Sequence, residues 1–503
     1  MNIIYLFVLF FIQIEDSMSK SDDEINILLS LSGNPSYAHS EAANSISTTY
    51  AAVLGQLFKF SPHFEIEPNQ IEKYSWDEPT KTYKLKLKNN LVFHNGRKVN
   101  SKDLEFSLLR GFFSPMRSFY EIYVGNIEGA DKIIPGEKYE SGKVSGIKIL
   151  NDLEIGIKLK RENPSFLHSL IRPFLALVPQ EEFQEDLITW KKHPVGVGPY
   201  KVVKSFDGMC TKLEKLIKNK SSINYVNLCT NYDPKEHYGI VAQLPEGFKT
   251  DGYTEYLSSM PMLTAGFFFV FGHKLSDDIN FRKAIHYGLN RSSIVEGFPE
   301  LTATYEMLPS FTWGRSDLKD PYDPVKAKEY LSKVDPKLLS KPIEGLVFGN
   351  KVIPARTKIL IEKIEKNLSS IGIHLKMYPT TEKFMSVDSG KKYIFNFSGI
   401  VSQHSDPLTM FGAFKSKSAY DYFKPIGGDK AYDKLFDEAA IARNKDDRVK
   451  TVQALSAYLD KMSYFVPYAE RKMIYWVKKG VVKEFGEQSQ SFFLDLEEIK
   501  VSE

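Results

Sequence analysis

The sequence predicts a mixed α/β protein built from more than one domain, and three observations carry that expectation. At 503 residues the chain exceeds what one hydrophobic core ordinarily serves, so two or three domains are expected. Its first part reads as alternating strands and hairpins, and its later part as strand–helix–strand. With 42% apolar and 26% charged residues it has the composition of a soluble globular chain.

The elements follow in order. Residues Ile3 to Ile12 form an unbroken apolar run, the length of a signal-peptide core and too short to span a bilayer. No Lys or Arg precedes it, no Cys follows that could take a lipid, and Ser17 and Ser19 supply small residues of the cleavage type. Two readings stand: export with residues 1–19 as a signal segment, or translation from Met18 and a cytoplasmic protein. "INILLSL" from Ile25 is a buried strand. In "KTYKLKLKN", Tyr83, Leu85 and Leu87 face inward while Lys84, Lys86 and Lys88 face water. Asn95-Gly96 is a turn. "NSKDLEFSLLRGFF" is a helix capped by Ser101, with Asp103 and Glu105 at its positive end. "GIKILNDLEIGIKLK" is a hairpin turning at Asn151-Asp152.

Beyond residue 265 the style changes. "IEGLVFG" reads as a strand. Pro354 opens a helix with Ile361, Ile364, Leu368 and Ile371 on one face, Gly372 ends it, and "IHLKMY" is the next strand. Such a unit predicts that part of the sheet is parallel. A helix or pair of helices covers Tyr432 to Tyr464, broken near Asn444.

Several function classes find no support. A net charge of +3 with dispersed lysines gives no basic field for nucleic acid. Nucleophile-elbow, zinc-protease, phosphate-loop and dinucleotide motifs are missing from the sequence, and its ten His are scattered. Asp277-Asp278 reads as loop charge or a helix cap. Cys210 and Cys229 have no metal-type spacing, so no metal is expected. They flank a strand–turn–strand stretch, which leaves a disulfide or two buried thiols open.

An ordered set of stretches then carries a resemblance. Trp76 followed by "TYKLKLKNNLVFHNGRKVNSKDLEFSL" resembles the signature of the extracytoplasmic solute-binding proteins of peptide-type ABC importers, family 5, the group of oligopeptide-, dipeptide- and nickel-binding proteins. "NPSFLHSLIRPFLALVPQ" is similar to that family's Pro-aromatic helix and following strand, and "GVGPY" to its Gly-Thr-Gly-Pro-Tyr. "DINFRKAIHYGLNRSSIV" and "YDPVKAKEYL" match two of its helices. The resemblance implies a two-lobed periplasmic-binding-protein fold of type II, with mixed sheets flanked by helices and a cleft between the lobes. Lobe I would take residues 20–50, 190–264 and 469–503, with 51–189 as its extra subdomain, and lobe II residues 265–468. Trp76, Gly96, Gly198, Pro199, Arg282, Asp406 and Pro407 would be structural.

The stretch "GIVSQHSDPLTMF", Gly399 to Phe411, fits the family's ligand-grip segment through Gly399, Asp406 and Pro407. The family's Trp, ammonium-binding Asp and Tyr positions hold Ile400, Gln403 and His404 here. The resemblance therefore implies a grip that has lost its charge, with Gln403, His404, Ile400, Ser40 and Glu41 as ligand candidates; the plain alternative is a turn that touches no ligand. The family's Arg-Asn-Pro-x-Tyr element is replaced by "IKNKSSINYV". The implied function is capture of a peptide or peptide-sized solute for an ABC permease and its ATPase, by a monomer in the periplasm or cell envelope, with no catalysis and no cofactor. A sensor on the same fold and a binder of an oligosaccharide or metal chelate are the alternatives; an enzyme without recognisable motifs is the third class.

Overall fold

The computed structural model describes residues 24–29, 44–61, 65–115, 117–163, 165–245, 247–316, 318–348, 353–380, 393–401, 407–416, 423–442, 445–489 and 493–501. The apolar N-terminal run, Ser40, Glu41, Gln403, His404 and Asp406 lie outside them. An eleven-stranded sheet is the backbone of the molecule. Its strands along the chain are β1 Glu24–Leu28, β2 Tyr200–Lys204, β3 Cys210–Lys215, β4 Tyr225–Cys229, β5 Ile240–Val241, β6 Tyr253–Phe269, β7 Leu301–Ala303, β8 Ile343–Phe348, β9 Leu375–Thr380, β10 Phe395–Val401 and β11 Phe465–Lys478. In space the order is β9–β8–β10–β6–β11–β5–β1–β4–β3–β2, with β7 also paired to β11.

Two large cores flank this sheet. The first draws on residues from Ile25 to Ala242, on Met260, and on the C-terminal stretch from Tyr475 to Val501. The second is contiguous, from Ala265 to Ala469. The first core also takes in a separate four-stranded sheet, ordered Ile71–Asp77, Thr82–Leu87, Glu154–Lys158 and Ile147–Asn151. Here Leu85 and Leu87 are fully buried and Lys84 is exposed, as their alternation requires.

In the second half the strand–helix–strand unit forms as its pattern predicts. Strand β8 runs parallel to both β9 and β10, and the helix Ala355–Ser369 between β8 and β9 buries Ile361, Ile364 and Leu368. Helices Lys430–Ile441 and Lys445–Met462 form the expected pair. Asp278 caps the helix Ile279–Gly288 by accepting from the Asn280 N–H.

Two local expectations are corrected. The helix Ser101–Phe113 is capped by Asn100, not Ser101. Asn100 has extended backbone and accepts from the Lys102 N–H, while Asp103 reaches back to the Asn100 N–H and closes a capping box. Ser101 is already helical and buried. The segment at Val178-Pro179 is not a strand. Its backbone is satisfied by side chains: the Leu177 N–H donates to Gln70 and the Val178 N–H to Ser107.

Cys210 and Cys229 oppose each other in the antiparallel β3–β4 pair and form a disulfide, which decides between the two readings of these cysteines.

The cores communicate through β6 and β11, which run antiparallel for most of their length. Their register breaks between Leu257 and Pro261, between Pro261 and Leu263, and between Ala265 and Gly266. All three breaks fall where the first core gives way to the second. Ser258, 1% exposed, patches the first break. Its hydroxyl donates to the Met260 carbonyl at 2.6 Å and accepts from the Met473 N–H at 3.0 Å. A bulge leaves backbone groups without ladder partners, and Ser258 supplies them.

Two expected outcomes follow from this architecture. Ser258→Ala strands a buried N–H and a buried carbonyl, so stability falls by about 1–3 kcal/mol; denaturant titration measures it, and faster hydrogen exchange at the Met473 amide locates it. Replacing Cys210 and Cys229 by Ser opens a loop closed across a separation of 19 residues. The protein then loses about 3 kcal/mol, and a reductant has no further effect on the variant's midpoint while lowering that of the wild type.

Candidate functional site

Where the cores meet, four strands present one row of side chains. Ile400 on β10 pairs with Thr264 on β6, Thr264 with Glu470 on β11, and Glu470 with Thr302 on β7. Directly paired residues of an antiparallel sheet share a face, so the four line up. Gly399 permits the close approach of β10 to β6, since a Cβ there would stand 2.4 Å from Leu263 Cδ1. Ile400 is half-buried against the second core. Thr264 is fully buried, and its hydroxyl has no hydrogen-bond partner among the described residues.

Glu470, 4% exposed, anchors a polar knot at this level. Its carboxylate accepts from Arg315 Nη1 at 3.0 Å and from the Ser310 hydroxyl at 2.7 Å. Arg315 also pairs with buried Glu306 at 2.9 Å and donates to the Leu308 carbonyl at 2.6 Å. Glu306 in turn accepts from the Ser316 N–H and the Ser456 hydroxyl. Charge-assisted bonds from one guanidinium to two carboxylates and a carbonyl fix the loop from Thr304 to Ser316 against β11.

That loop reaches the first core. Phe311 packs against it, and Trp313 Nε1 donates to Ser165 Oγ at 2.8 Å. On the second-core side the Arg448 guanidinium lies 5.6 Å from the Trp313 ring centroid. A second bridge runs along the ribbon. Arg356 pairs with Glu300 at 2.7 Å and with Glu255 of β6 at 3.3 Å.

The residues singled out from the sequence are distributed unevenly. Ile400 lies in the row above, and Pro407 opens the short helix Pro407–Phe411 after it. Between these two lie Gln403, His404 and Asp406, whose placement is not described, as is that of Ser40 and Glu41. Trp76 sits 4.5 Å from Tyr83, ring to ring, and donates to Glu78. Gly96 turns with φ +90°. Gly198 packs on the helix Asn44–Leu54, where a Cβ would meet the Ala52 carbonyl at 2.4 Å. The Pro199 carbonyl accepts from the Leu216 N–H. Arg282 is buried between Phe271 and Tyr464 and donates to the Ser276 and Met462 carbonyls. Burial pushes its guanidinium down to about 10.

Sequence reasoning missed Trp313, Arg315, Glu470, Ser165 and Arg448. A signal existed in "LPSFTWGR", where two aromatics sit in a Pro/Ser/Gly loop with Gly314 at φ +79°. Among the described residues no group of His, Cys, Asp and Glu could hold a metal ion. What the arrangement offers chemically is hydrogen bonding, apolar contact and a jointed connection.

Comparison with known proteins bears on this geometry. The profile for bacterial extracellular solute-binding proteins, family 5 (middle), matches residues 65–216 and 238–422, more than half of the chain. A dipeptide-binding protein of Lactococcus lactis subsp. cremoris (strain MG1363) is 24% identical over 440 residues, 77% of this chain and 78% of its own. Among solved structures, the substrate-binding protein CtaP of an ABC transporter of Listeria monocytogenes superposes with a TM-score of 0.74 at 17% identity, covering 95% of this chain and 99% of that one. OppA of Haemophilus influenzae in complex with RPPGFSPFR gives 0.69 at 17%, covering 96% and 99%. The fold is thus that of the periplasmic binding proteins, and the chain belongs to the family 5 bacterial extracellular solute-binding proteins.

Proposed function

We propose that this protein closes two lobes on a peptide or peptide-sized solute and delivers it to an ABC permease driven by an ATPase. The observation that carries the reading is the pair of cores joined by β6 and β11, with every register break of that ribbon at the junction. Such breaks give two rigid bodies a joint. Lobe I then comprises residues 20–50, 190–264 and 469–503 with the extra subdomain 51–189, and lobe II residues 265–468. The relatives that bind dipeptides and a nonapeptide support the ligand class.

In this reading the protein works outside the cytoplasm, as a monomer, and by binding rather than catalysis. Among the described residues no helix is long and apolar enough to cross a membrane. Ile400 leads into the segment holding Gln403 and His404, which we assign to the ligand together with Ser40 and Glu41. Gln403 keeps hydrogen-bonding capacity without charge, which suits a ligand lacking a free α-ammonium, such as an N-blocked or cyclic peptide.

Mass spectrometry of solute released from the purified folded protein tests the ligand class directly; a peptide is expected, and an oligosaccharide or chelate redirects the assignment. Calorimetry then tests Gln403. Titrating one tripeptide, free and N-acetylated, into wild type and Gln403→Asp should show a shift of about tenfold toward the free amine in the variant. Unchanged preference removes Gln403 from the site.

A further inference from the structure

We infer that Trp313 and Ser165 form a latch that holds the lobes together, making Trp313 a residue that sets affinity through a bond between the lobes. The inference rests on the two-lobed reading above. Its physical basis is local. Ser165 is fully buried, precedes the short helix Phe166–Ser169, and accepts the indole N–H. Trp313 belongs to the other core and is displayed by a loop that Arg315, Glu306 and Glu470 make rigid. Gln453 Nε2 adds a bond to the Arg315 carbonyl. Gly314 seats the loop on the second core, with Val452 Cγ1 only 2.7 Å from where a Cβ would stand.

The receiving surface is equally built. Phe166 stacks on Tyr83 at 5.4 Å, and Tyr83 packs on Trp76 at 4.5 Å. Thus Ser165 is held at the end of an aromatic ladder that begins at Trp76. Charge also complements across the contact: Arg448 lies beside Trp313, and Glu162 stands three residues before Ser165. Burial raises the Glu162 carboxyl above its ordinary value, as does the charge of Glu78, against the opposing pull of Lys81 and Arg448. The ribbon alone permits the lobes to swing. The latch adds a bond that exists only while they are together, so it biases the ligand-free equilibrium toward closure. A neutral buried hydrogen bond shifts such an equilibrium about fivefold.

Small-angle X-ray scattering of the full chain without added solute tests the latch. Wild type is compared with Trp313→Phe, Ser165→Ala and the double variant, and a thermal melt of each reports whether it is folded. Trp313→Phe keeps an aromatic side chain but removes the donor together with the pyrrole part of the indole; Ser165→Ala removes the acceptor without touching the loop. Each single variant should enlarge the radius of gyration, Ser165→Ala through an about fivefold fall in the closed-to-open ratio, and the double variant should go no further than Trp313→Phe alone. Unchanged dimensions in the folded single variants, or effects that add in the double variant, overturn the latch. Because no solute is present, this readout stands apart from the ligand assignment. A protein that binds no peptide can still be latched, and one that binds peptides can still show no change here.

Discussion

The β6–β11 ribbon is the constraint on which the rest depends. Two cores of this size would behave as separate domains on flexible linkers if the chain merely passed between them. Here the connection is a hydrogen-bonded pair of long strands that belongs to both cores at once. Bending is therefore confined to the register breaks. Gly266 belongs to the same design. It lies at the last break, under Phe465, where a Cβ would come within 2.6 Å of the Val466 carbonyl. A side chain there would pry the strands apart at the point where they re-enter regular pairing.

One cluster of buried charge holds the loop from Thr304 to Ser316 in place. Arg315 neutralises only one of the two carboxylates it holds, and both are buried. Such a knot tolerates no loss of a partner, since an unpaired buried charge is costly. In return it gives a largely buried, irregular loop the rigidity of a secondary element. That is what lets a single indole N–H reach across to the other half of the molecule and find Ser165 in register.

Much of this was legible in the sequence because the decisive patterns are local. The alternation of Leu85 and Leu87 with Lys84 and Lys86, the Pro354-to-Gly372 helix and the Asp278 cap are read within a few residues, and the structure places them as expected. One error has a local cause and the other a distant one. Ser101 and Asn100 are both good caps, and only the reach of Asp103 to the Asn100 N–H decides between them. The strand expected at Val178-Pro179 failed because Gln70 and Ser107, distant in sequence, satisfy its backbone. The knot of Arg315, Glu306 and Glu470 could not be read at all, since Glu470 joins it from β11. Family resemblance pointed to the grip after β10, whereas the joint became visible only through strand pairing.

The two cores also differ in when they can form. The second is nearly contiguous in the chain: its buried apolar residues run from Ala265 to Ala469, with Leu263 packed against them. The first needs the beginning and the end together: β1 pairs with β5, and β5 pairs with β11 at Trp476 and Val477. Strand β1 has both of its neighbours once residue 241 has been made, but β5 keeps an unsatisfied edge until β11 arrives, when almost the whole chain has been made. Closing so long a loop costs little more than closing a short one in equilibrium terms, but it delays folding. A chain that emerges from the ribosome in order has therefore made 469 of its 503 residues before the second core can close, and nearly all of them before the first core does. Such a delay leaves the apolar faces of both cores and the open strand edge of β5 uncovered until late in synthesis.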